Sequence, residues 1–173
     1  FLSLRGAHPR LRLVIVPRHV ERTGDVAAML DSLGLRWQRR SRLDHDGADP
    51  AARVVLVDAT GELAWWWGTA GIAFVGGSLD GTRGGQNMLE PAAYGAAVSF
   101  GPFTRNFRDE VARLLAADAA VVVEDGAALT SFVRRCLEDP AWAAALGSRA
   151  AGLVASQRGA TAATARLVLE RLD

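Results

Sequence analysis

The sequence feature that most constrains the fold is a pair of short apolar runs joined by a glycine-rich segment. The first run, residues 72–75, ends in two glycines, and the second, residues 96–100, ends in Gly-Pro. Between them a further glycine pair at residues 84–85 leads into Asn-Met-Leu-Glu-Pro at residues 87–91. This order predicts a strand, a glycine loop, a short helix and a second strand. The turns of such βαβ units lie where α/β sheets bind ligands.

Pro91 predicts where the helix of this unit begins. Proline is favoured at the first helical position and disfavours a helical backbone in the residue before it, so we expect the helix to start at Pro91. Asn87, Met88, Leu89 and Glu90 would then form a loop whose polar groups are free to face a ligand. The alternative is a capping box, because Asn87 and Glu90 have nearly the spacing of that motif. The glycine pairs just upstream favour the ligand loop.

Strands and helices alternate along the chain. Short apolar runs predict strands at residues 11–16, 53–57, 72–75, 96–100 and 120–123, and residues 37–40 are a candidate edge strand. Helical spacing predicts further helices at residues 25–33, 61–69, 106–117, 126–138, 141–157 and 160–172. We expect the strand at 11–16 to be buried on both faces, and the polar stretch 43–50 to form a surface loop. The alternation predicts one α/β domain over residues 1–173, a doubly wound, Rossmann-like parallel sheet with helices on both faces.

Composition narrows the possible functions. Half of the residues are hydrophobic and the net charge is +1, which argues against nucleic-acid binding. All 20 basic residues are arginines, so this chain has no lysine for Schiff-base chemistry.

Cys136 is the single cysteine and is expected to be a buried or half-buried free thiol in a cytoplasmic protein. The three histidines are scattered without ligand spacing, which predicts no metal site. No apolar run is long enough to span a bilayer, so we expect this domain to be soluble.

Unusual residues follow three of the predicted strands: Pro17-Arg18, then Gly61-Glu62-Leu63, then residues 87–90. In a parallel sheet these segments would lie at one edge, where ligands bind. Arg18 could clamp a phosphate or carboxylate, and Glu90 could accept hydrogen bonds from two ribose hydroxyls. The alternative for Arg18 is an ordinary surface charge. For Glu62 we favour a role as a first-turn acid and assign ligand contacts to the backbone of that turn.

Three consecutive tryptophans, Trp65, Trp66 and Trp67, lie in the predicted helix 61–69, for which Thr60 is the expected N-cap. At about 100° per residue their side chains cover roughly 200° of the helix surface, so one face cannot bury all three. We expect one or two of them in the core and at least one facing outward.

Several segments in a fixed order form a pattern over nearly the whole chain: Pro17-Arg18-His19, Glu21-Arg22, Asp58, Gly61-Glu62-Leu63, Gly76-Gly77-Ser78-Leu79, Gly84-Gly85, Asn87, Leu89-Glu90-Pro91-Ala92-Ala93, Gly101-Pro102 and Asn106-Phe107. The pattern resembles the C-terminal half of 3-deoxy-D-manno-octulosonic acid (Kdo) transferases. The chain departs from that family at Thr60, Gln86, Met88 and Phe103, where the family usually has Met, His, Pro and His.

The resemblance implies a metal-independent GT-B glycosyltransferase of lipopolysaccharide biosynthesis, with two Rossmann-like domains facing across a cleft. This chain would be the half that binds the donor substrate CMP-Kdo, and it would need no cofactor. The residues that correspond to the family's CMP contacts are Pro17, Arg18, Gly61, Glu62, Leu63, Asn87, Met88, Leu89 and Glu90. The full enzyme would transfer Kdo to a lipid A precursor at the cytoplasmic face of the inner membrane.

The resemblance also implies what this chain would lack. The general base, the acceptor site and the membrane anchor belong to the family's N-terminal half, so no catalytic residue is assigned here and the chain alone is expected to be inactive. Two alternatives remain open at the level of sequence. One is another GT-B enzyme, such as a UDP-sugar transferase or a nucleotide-sugar epimerase. The other is a non-enzymatic α/β module that binds partners through Trp65, Trp66 and Trp67.

Overall fold

The structure is a computed structural model that describes residues 1–157 and residue 171. The predicted helix at 160–172 lies outside the described residues, except for position 171. The chain divides into two compact units, Phe1–Trp66 and Trp67–Asp173. Each unit contains a three-stranded parallel sheet with helices, which confirms the predicted α/β class. The division of the strands into two sheets is not visible in the sequence pattern.

The first unit has its strands in the order β1-β3-β2. Its elements are β1 (Leu13–Ile15), a 3-10 turn (Val20–Arg22), α1 (Thr23–Ser32), β2 (Trp37–Arg39), α2 (Arg40–Asp46), β3 (Val54–Leu56) and α3 (Leu63–Trp67), the last residue of which opens the second unit. Val54 and Leu56 of the central strand are fully buried and pack against Leu30 of α1. The prediction that the first strand is buried on both faces is wrong, because Val14 on one face of β1 is exposed.

Helix α2 occupies part of the stretch 43–50 that was predicted to be a loop. Two ion pairs, each one helical turn apart, join Arg40 to Asp44 at 2.9 Å and Arg42 to Asp46 at 3.0 Å. Such pairs contribute about 0.2–0.5 kcal/mol each to a helix. Asp58, which follows β3, accepts hydrogen bonds from the backbone N–H of Ser41 at 2.9 Å and from its hydroxyl at 2.7 Å. The helix therefore depends on a carboxylate that lies 17 residues further along the chain.

Asp58 should make the stability of the first unit sensitive to acid. Burial by itself would raise the pKa of this carboxyl, but the hydrogen bonds from Ser41, together with those from its own backbone N–H and from Arg39, outweigh burial and hold the pKa below its ordinary value. Its stabilising contribution is therefore present above about pH 4 and is lost as the pH falls through the lowered folded-state pKa. We expect Asp58→Asn to reduce the free energy of unfolding at pH 7 and to flatten part of its decline in acid, as measured by urea unfolding.

The control for this measurement is Asp25→Asn. Asp25 is exposed, and its side chain has no hydrogen bond or ion pair with any residue that the structure describes. This variant should leave the acid decline unchanged. An acid decline in Asp58→Asn that is as steep as in the unmodified chain would contradict the assignment.

The second unit has its strands in the order β4-β5-β6. Its elements are β4 (Ile72–Val75), α4 (Leu89–Ala93), β5 (Ala97–Phe100), a 3-10 turn (Arg105–Phe107), α5 (Arg108–Ala116), β6 (Ala120–Val122), α6 (Gly126–Glu138) and α7 (Pro140–Gln157). Every residue of the central strand β5 is buried. Val98 and Phe100 pack in one apolar cluster with α4, α5 and α7, whereas Ala97 packs in another with α6 and α7. Helices therefore cover both faces of this sheet, as predicted.

Helix α3 begins later, and helix α4 begins earlier, than the sequence predicted. Helix α3 begins at Leu63 and not at Gly61, because Gly61 has a φ of 82°, outside the helical region, and so precedes the helix as a turn. Helix α4 begins at Leu89 and not at Pro91. Proline is tolerated throughout the first turn, because the N–H groups there have no helical partner. Glu90 therefore lies in the first turn of α4 and not in a loop.

None of the helices that the structure describes is long and apolar enough to cross a bilayer.

Candidate functional site

In the first unit, the candidate residues follow two adjacent strands. β1 and β3 pair in parallel with Ile15 opposite Leu56, so the segments that follow them leave the sheet at the same edge. Pro17 is half-buried, and Arg18 is exposed and has no hydrogen bond or ion pair within the described chain. A guanidinium without a protein partner has all of its donors available to an anion. This edge of the unit is thus able to bind a phosphate or carboxylate.

Glu62 is held by its neighbours within the first unit. Its Oε2 atom accepts a hydrogen bond from Arg40 Nε at 3.0 Å and another from Trp66 Nε1 at 3.3 Å. The prediction that Glu62 is a first-turn acid is wrong, because α3 begins one residue later, at Leu63. The Glu62 side chain is instead held by these two hydrogen bonds. Gly61, just before it, adopts a positive φ that strains any residue with a side chain. The turn formed by Gly61, Glu62 and Leu63 therefore has its backbone conformation fixed by the glycine.

In the second unit, a buried serine joins the two loops that follow β4 and β5. The Ser78 hydroxyl donates to the carbonyl of Val75 at 2.7 Å and accepts from the N–H of Gly101 at 2.8 Å. The Ser78 carbonyl accepts from the N–H of Phe103 at 2.9 Å. Because the Ser78 side chain is fully buried, these bonds are shielded from water. They hold both loops at the carboxyl edge of the sheet.

Arg105 and Asn106 hold the tip of the glycine loop. The Arg105 guanidinium donates to the carbonyls of Gly81 at 3.0 Å and Thr82 at 2.9 Å. The Asn106 side chain donates to the carbonyl of Arg83 at 2.8 Å, and its backbone N–H donates to the carbonyl of Gly84 at 3.1 Å. The loop is therefore ordered by the protein itself. This role of Arg105 was not predicted from the sequence, because hydrogen bonds to backbone carbonyls leave no sequence signal.

The segment from Asn87 to Glu90 is internally hydrogen-bonded. Asn87 Oδ1 accepts from the N–H of Leu89 at 3.0 Å, and Asn87 Nδ2 donates to Glu90 Oε1 at 3.3 Å. This is a side-chain turn leading into α4 rather than the capping box, in which Glu90 would contact the backbone of Asn87. The other carboxylate oxygen, Glu90 Oε2, accepts from Trp67 Nε1 at 3.3 Å. This contact between Trp67 and a candidate site residue was not predicted from the sequence.

Met88 has a different environment from its neighbours. Its side chain is fully buried and packs in the cluster that includes Val98 and Phe100. A buried thioether presents no polar group to a ligand, so any contact from this position would come from the backbone. Leu89 and Glu90 are half-buried.

The candidate residues thus fall into two groups. Pro17, Arg18, Gly61, Glu62 and Leu63 belong to the first unit, and Asn87, Met88, Leu89 and Glu90 belong to the second. Each group lies after strands of its own parallel sheet. That both groups face one ligand stays a prediction.

The thiol of Cys136 is not available as a nucleophile. Cys136 is buried in the core of the second unit, as predicted, and burial raises the pKa of its thiol to about 11. It is therefore protonated at neutral pH and a poor nucleophile. Among residues 1–157 and 171, no group of three His, Cys, Asp or Glu side chains is arranged to hold a metal ion. Of the three tryptophans, Trp65 is 79% exposed, as expected for at least one of them. The expectation that one or two lie in the core is wrong, because Trp66 and Trp67 are only half-buried.

Parallel α/β units with ordered loops at the carboxyl edges of their sheets define a Rossmann-like domain of the GT-B glycosyltransferase type. No protein-family model matches the sequence. The chain is 36% identical over 160 residues to the 3-deoxy-D-manno-octulosonic acid transferase of Bordetella pertussis, covering 92% of this chain and 37% of the relative. It is 41% identical over 113 residues to the transferase of the same name from Haemophilus influenzae, covering 65% of this chain and 26% of the relative.

A solved structure is also similar. The crystal structure of the C-terminal CMP-Kdo binding domain of WaaA from Acinetobacter baumannii superimposes with a TM-score of 0.81 and 30% sequence identity, covering 91% of this chain and 79% of that one. The chain belongs to the Kdo transferase family. It spans 37% and 26% of the lengths of these two relatives.

Proposed function

We propose that this chain binds CMP-Kdo as the donor-binding half of a Kdo transferase. The observation that carries the proposal is the similarity, over 91% of the chain, to a crystal structure described as a CMP-Kdo binding domain. The sequence pattern supports the same assignment independently of the superposition, because Arg18, Gly61, Asn87 and Glu90 match the family at the positions expected to contact CMP.

In this proposal Arg18 binds the phosphate of the donor. Its guanidinium is exposed and unpaired within the described residues, so binding a phosphate would break no existing ion pair. Arginine forms bidentate hydrogen bonds with phosphate, and each hydrogen bond to a charged group contributes about 1.5–3 kcal/mol. The backbone turn at Gly61, Glu62 and Leu63 would supply further N–H donors nearby.

Glu90 binds the ribose in this proposal. Its carboxylate is already oriented by Asn87 and Trp67, one donor on each oxygen. A carboxylate held in this way can accept hydrogen bonds from two neighbouring hydroxyls, which is the arrangement of a ribose 2′,3′-diol. Leu89 and the backbone of Met88 would complete the contacts of this segment.

The reaction of the full protein follows as part of the proposal. Kdo would pass from CMP to a lipid A precursor, and negative charge would grow on the departing phosphate. Arg18 would stabilise that charge directly, so the proposed reaction needs no metal ion. The general base, the acceptor and the membrane contact at the cytoplasmic face of the inner membrane would be contributed by the other half of the enzyme.

A nucleotide titration tests this proposal. We expect CMP to shift the NMR signals of residues 17–18, 61–63 and 87–90 of the 173-residue chain, and UMP to bind more weakly. Amide signals of α6 (Gly126–Glu138), none of whose residues is a candidate contact, serve as the internal control. An absence of CMP shifts in the three segments would contradict the proposal. Stronger binding of UMP than of CMP would favour a UDP-sugar enzyme instead.

A further inference from the structure

The tryptophan cluster of α3 (Trp65, Trp66 and Trp67) has a different environment for each of its members. Trp65 is 79% exposed. Trp66 donates its indole N–H to Glu62 within the first unit, and Trp67 donates its own to Glu90 within the second, both at 3.3 Å. Two consecutive tryptophans thus contact carboxylates of two candidate ligand-binding segments. Core packing alone does not require either hydrogen bond.

The contacts of Glu90 determine which of its acceptor sites remain available. An ionised carboxylate has about four lone-pair sites, two on each oxygen. Asn87 Nδ2 uses one on Oε1 and Trp67 Nε1 uses one on Oε2, so one site on each oxygen remains. Two acceptor sites on a carboxylate of fixed orientation match two adjacent hydroxyl donors. A carboxylate that was held at only one oxygen could still rotate, because the terminal torsion of glutamate is broad.

We infer that Trp67 is a positioning residue for ribose recognition: its indole N–H fixes the Glu90 carboxylate so that both oxygens can bind the 2′,3′-diol of the nucleotide. The inference rests on the proposed function. The indole lies 23 residues away in the sequence, is half-buried and can only donate, so it occupies one acceptor site on Oε2 and leaves the other site of that oxygen to a hydroxyl. Fixing the carboxylate before binding reduces the entropy cost of ordering it in the complex.

The test compares CMP with 2′-deoxy-CMP, which lacks one of the two hydroxyls. We expect Trp67→Phe, which keeps an aromatic ring but removes the N–H, to weaken CMP binding about three- to tenfold. Binding of 2′-deoxy-CMP should change much less, so the ratio of the two dissociation constants should fall towards one. Isothermal titration calorimetry on the 173-residue chain measures both constants. Trp65→Phe, two positions earlier and exposed, is the matched control and should leave the ratio unchanged.

A double variant separates positioning from packing. In the Glu90→Gln background, Trp67→Phe should cause little further loss of CMP affinity, because the two side chains act as one unit. Trp67→Tyr carries a hydroxyl donor at the far edge of its ring, so it should restore part of the ratio of the two dissociation constants. It is also the second variant if Trp67→Phe is too unstable to assay. Equal losses for both nucleotides, or full additivity with Glu90→Gln, would overturn the inference. Failure of the unmodified chain to bind CMP would instead overturn the proposed function itself.

Discussion

Replacement of Gly147 by alanine is expected to destabilise the second unit by about 3 kcal/mol. Gly147 lies in α7 (Pro140–Gln157) against the backbone that joins α4 (Leu89–Ala93) to β5 (Ala97–Phe100), and a Cβ atom here would overlap the carbonyl of Gly95. Backbone cannot rotate away as a side chain can, so the helix itself has to move. For a chain of this size such a loss lowers Tm by roughly 10 °C, measurable by circular dichroism.

The same helix provides the control. Gly152 is exposed, and a Cβ atom added there would have no neighbouring atom within 4 Å. Gly152→Ala should therefore be neutral or raise stability by about 0.5–1 kcal/mol, the ordinary gain for this change within a helix. A Gly147→Ala variant as stable as Gly152→Ala would show that α7 does not pack this closely against Gly95.

Replacement of Arg18 by alanine should weaken CMP binding by about 10- to 100-fold, since a hydrogen-bonded charge contributes about 1.5–3 kcal/mol. The loss should be specific to the phosphate. Cytidine, which has none, should bind Arg18→Ala and the unmodified chain equally well. Arg18→Lys should be intermediate, because an ammonium group cannot form the bidentate contact. NMR titrations with CMP and cytidine give both affinities.

Arg10→Ala is the matched control for this measurement. Arg10 is an exposed arginine of the same unit, likewise without a hydrogen bond or ion pair to any described residue. Its removal lowers the net charge equally and should change CMP affinity little. If Arg10→Ala and Arg18→Ala weaken CMP binding equally, the effect is one of overall charge and the assignment of Arg18 to the phosphate is wrong.

The sequence predicted correctly those elements whose bounds depend only on neighbouring residues. The strand at residues 72–75 and the helix at residues 126–138 have the predicted bounds, because a β-branched or aromatic run and an amphipathic period were each bounded by turn residues. The candidate segments after β1, β3 and β4 could likewise be identified from glycines and prolines that end strands. The resemblance of their order to one family then gave the function class.

Contacts between distant residues determined what the sequence could not predict. Most of helix α2 (Arg40–Asp46) was predicted to be a polar loop, because its support from Asp58 comes from the segment after β3, 17 residues from Ser41. The hydrogen bond from Trp67 to Glu90 joins residues 23 positions apart, and no periodicity reports on such a pair. The early start of α4 depends on one side-chain turn at Asn87, whereas proline statistics describe the average helix.

Because Arg105 and Asn106 hydrogen-bond to the backbone of the glycine loop, an incoming ligand would meet a loop that is already ordered. Four loop carbonyls, those of Gly81, Thr82, Arg83 and Gly84, are already satisfied by these two residues. No disordered segment has to fold around an incoming nucleotide at this position, so complex formation should follow a lock-and-key course here rather than induced fit. Crystals of the empty and nucleotide-loaded forms should then show the same backbone path through residues 81–85.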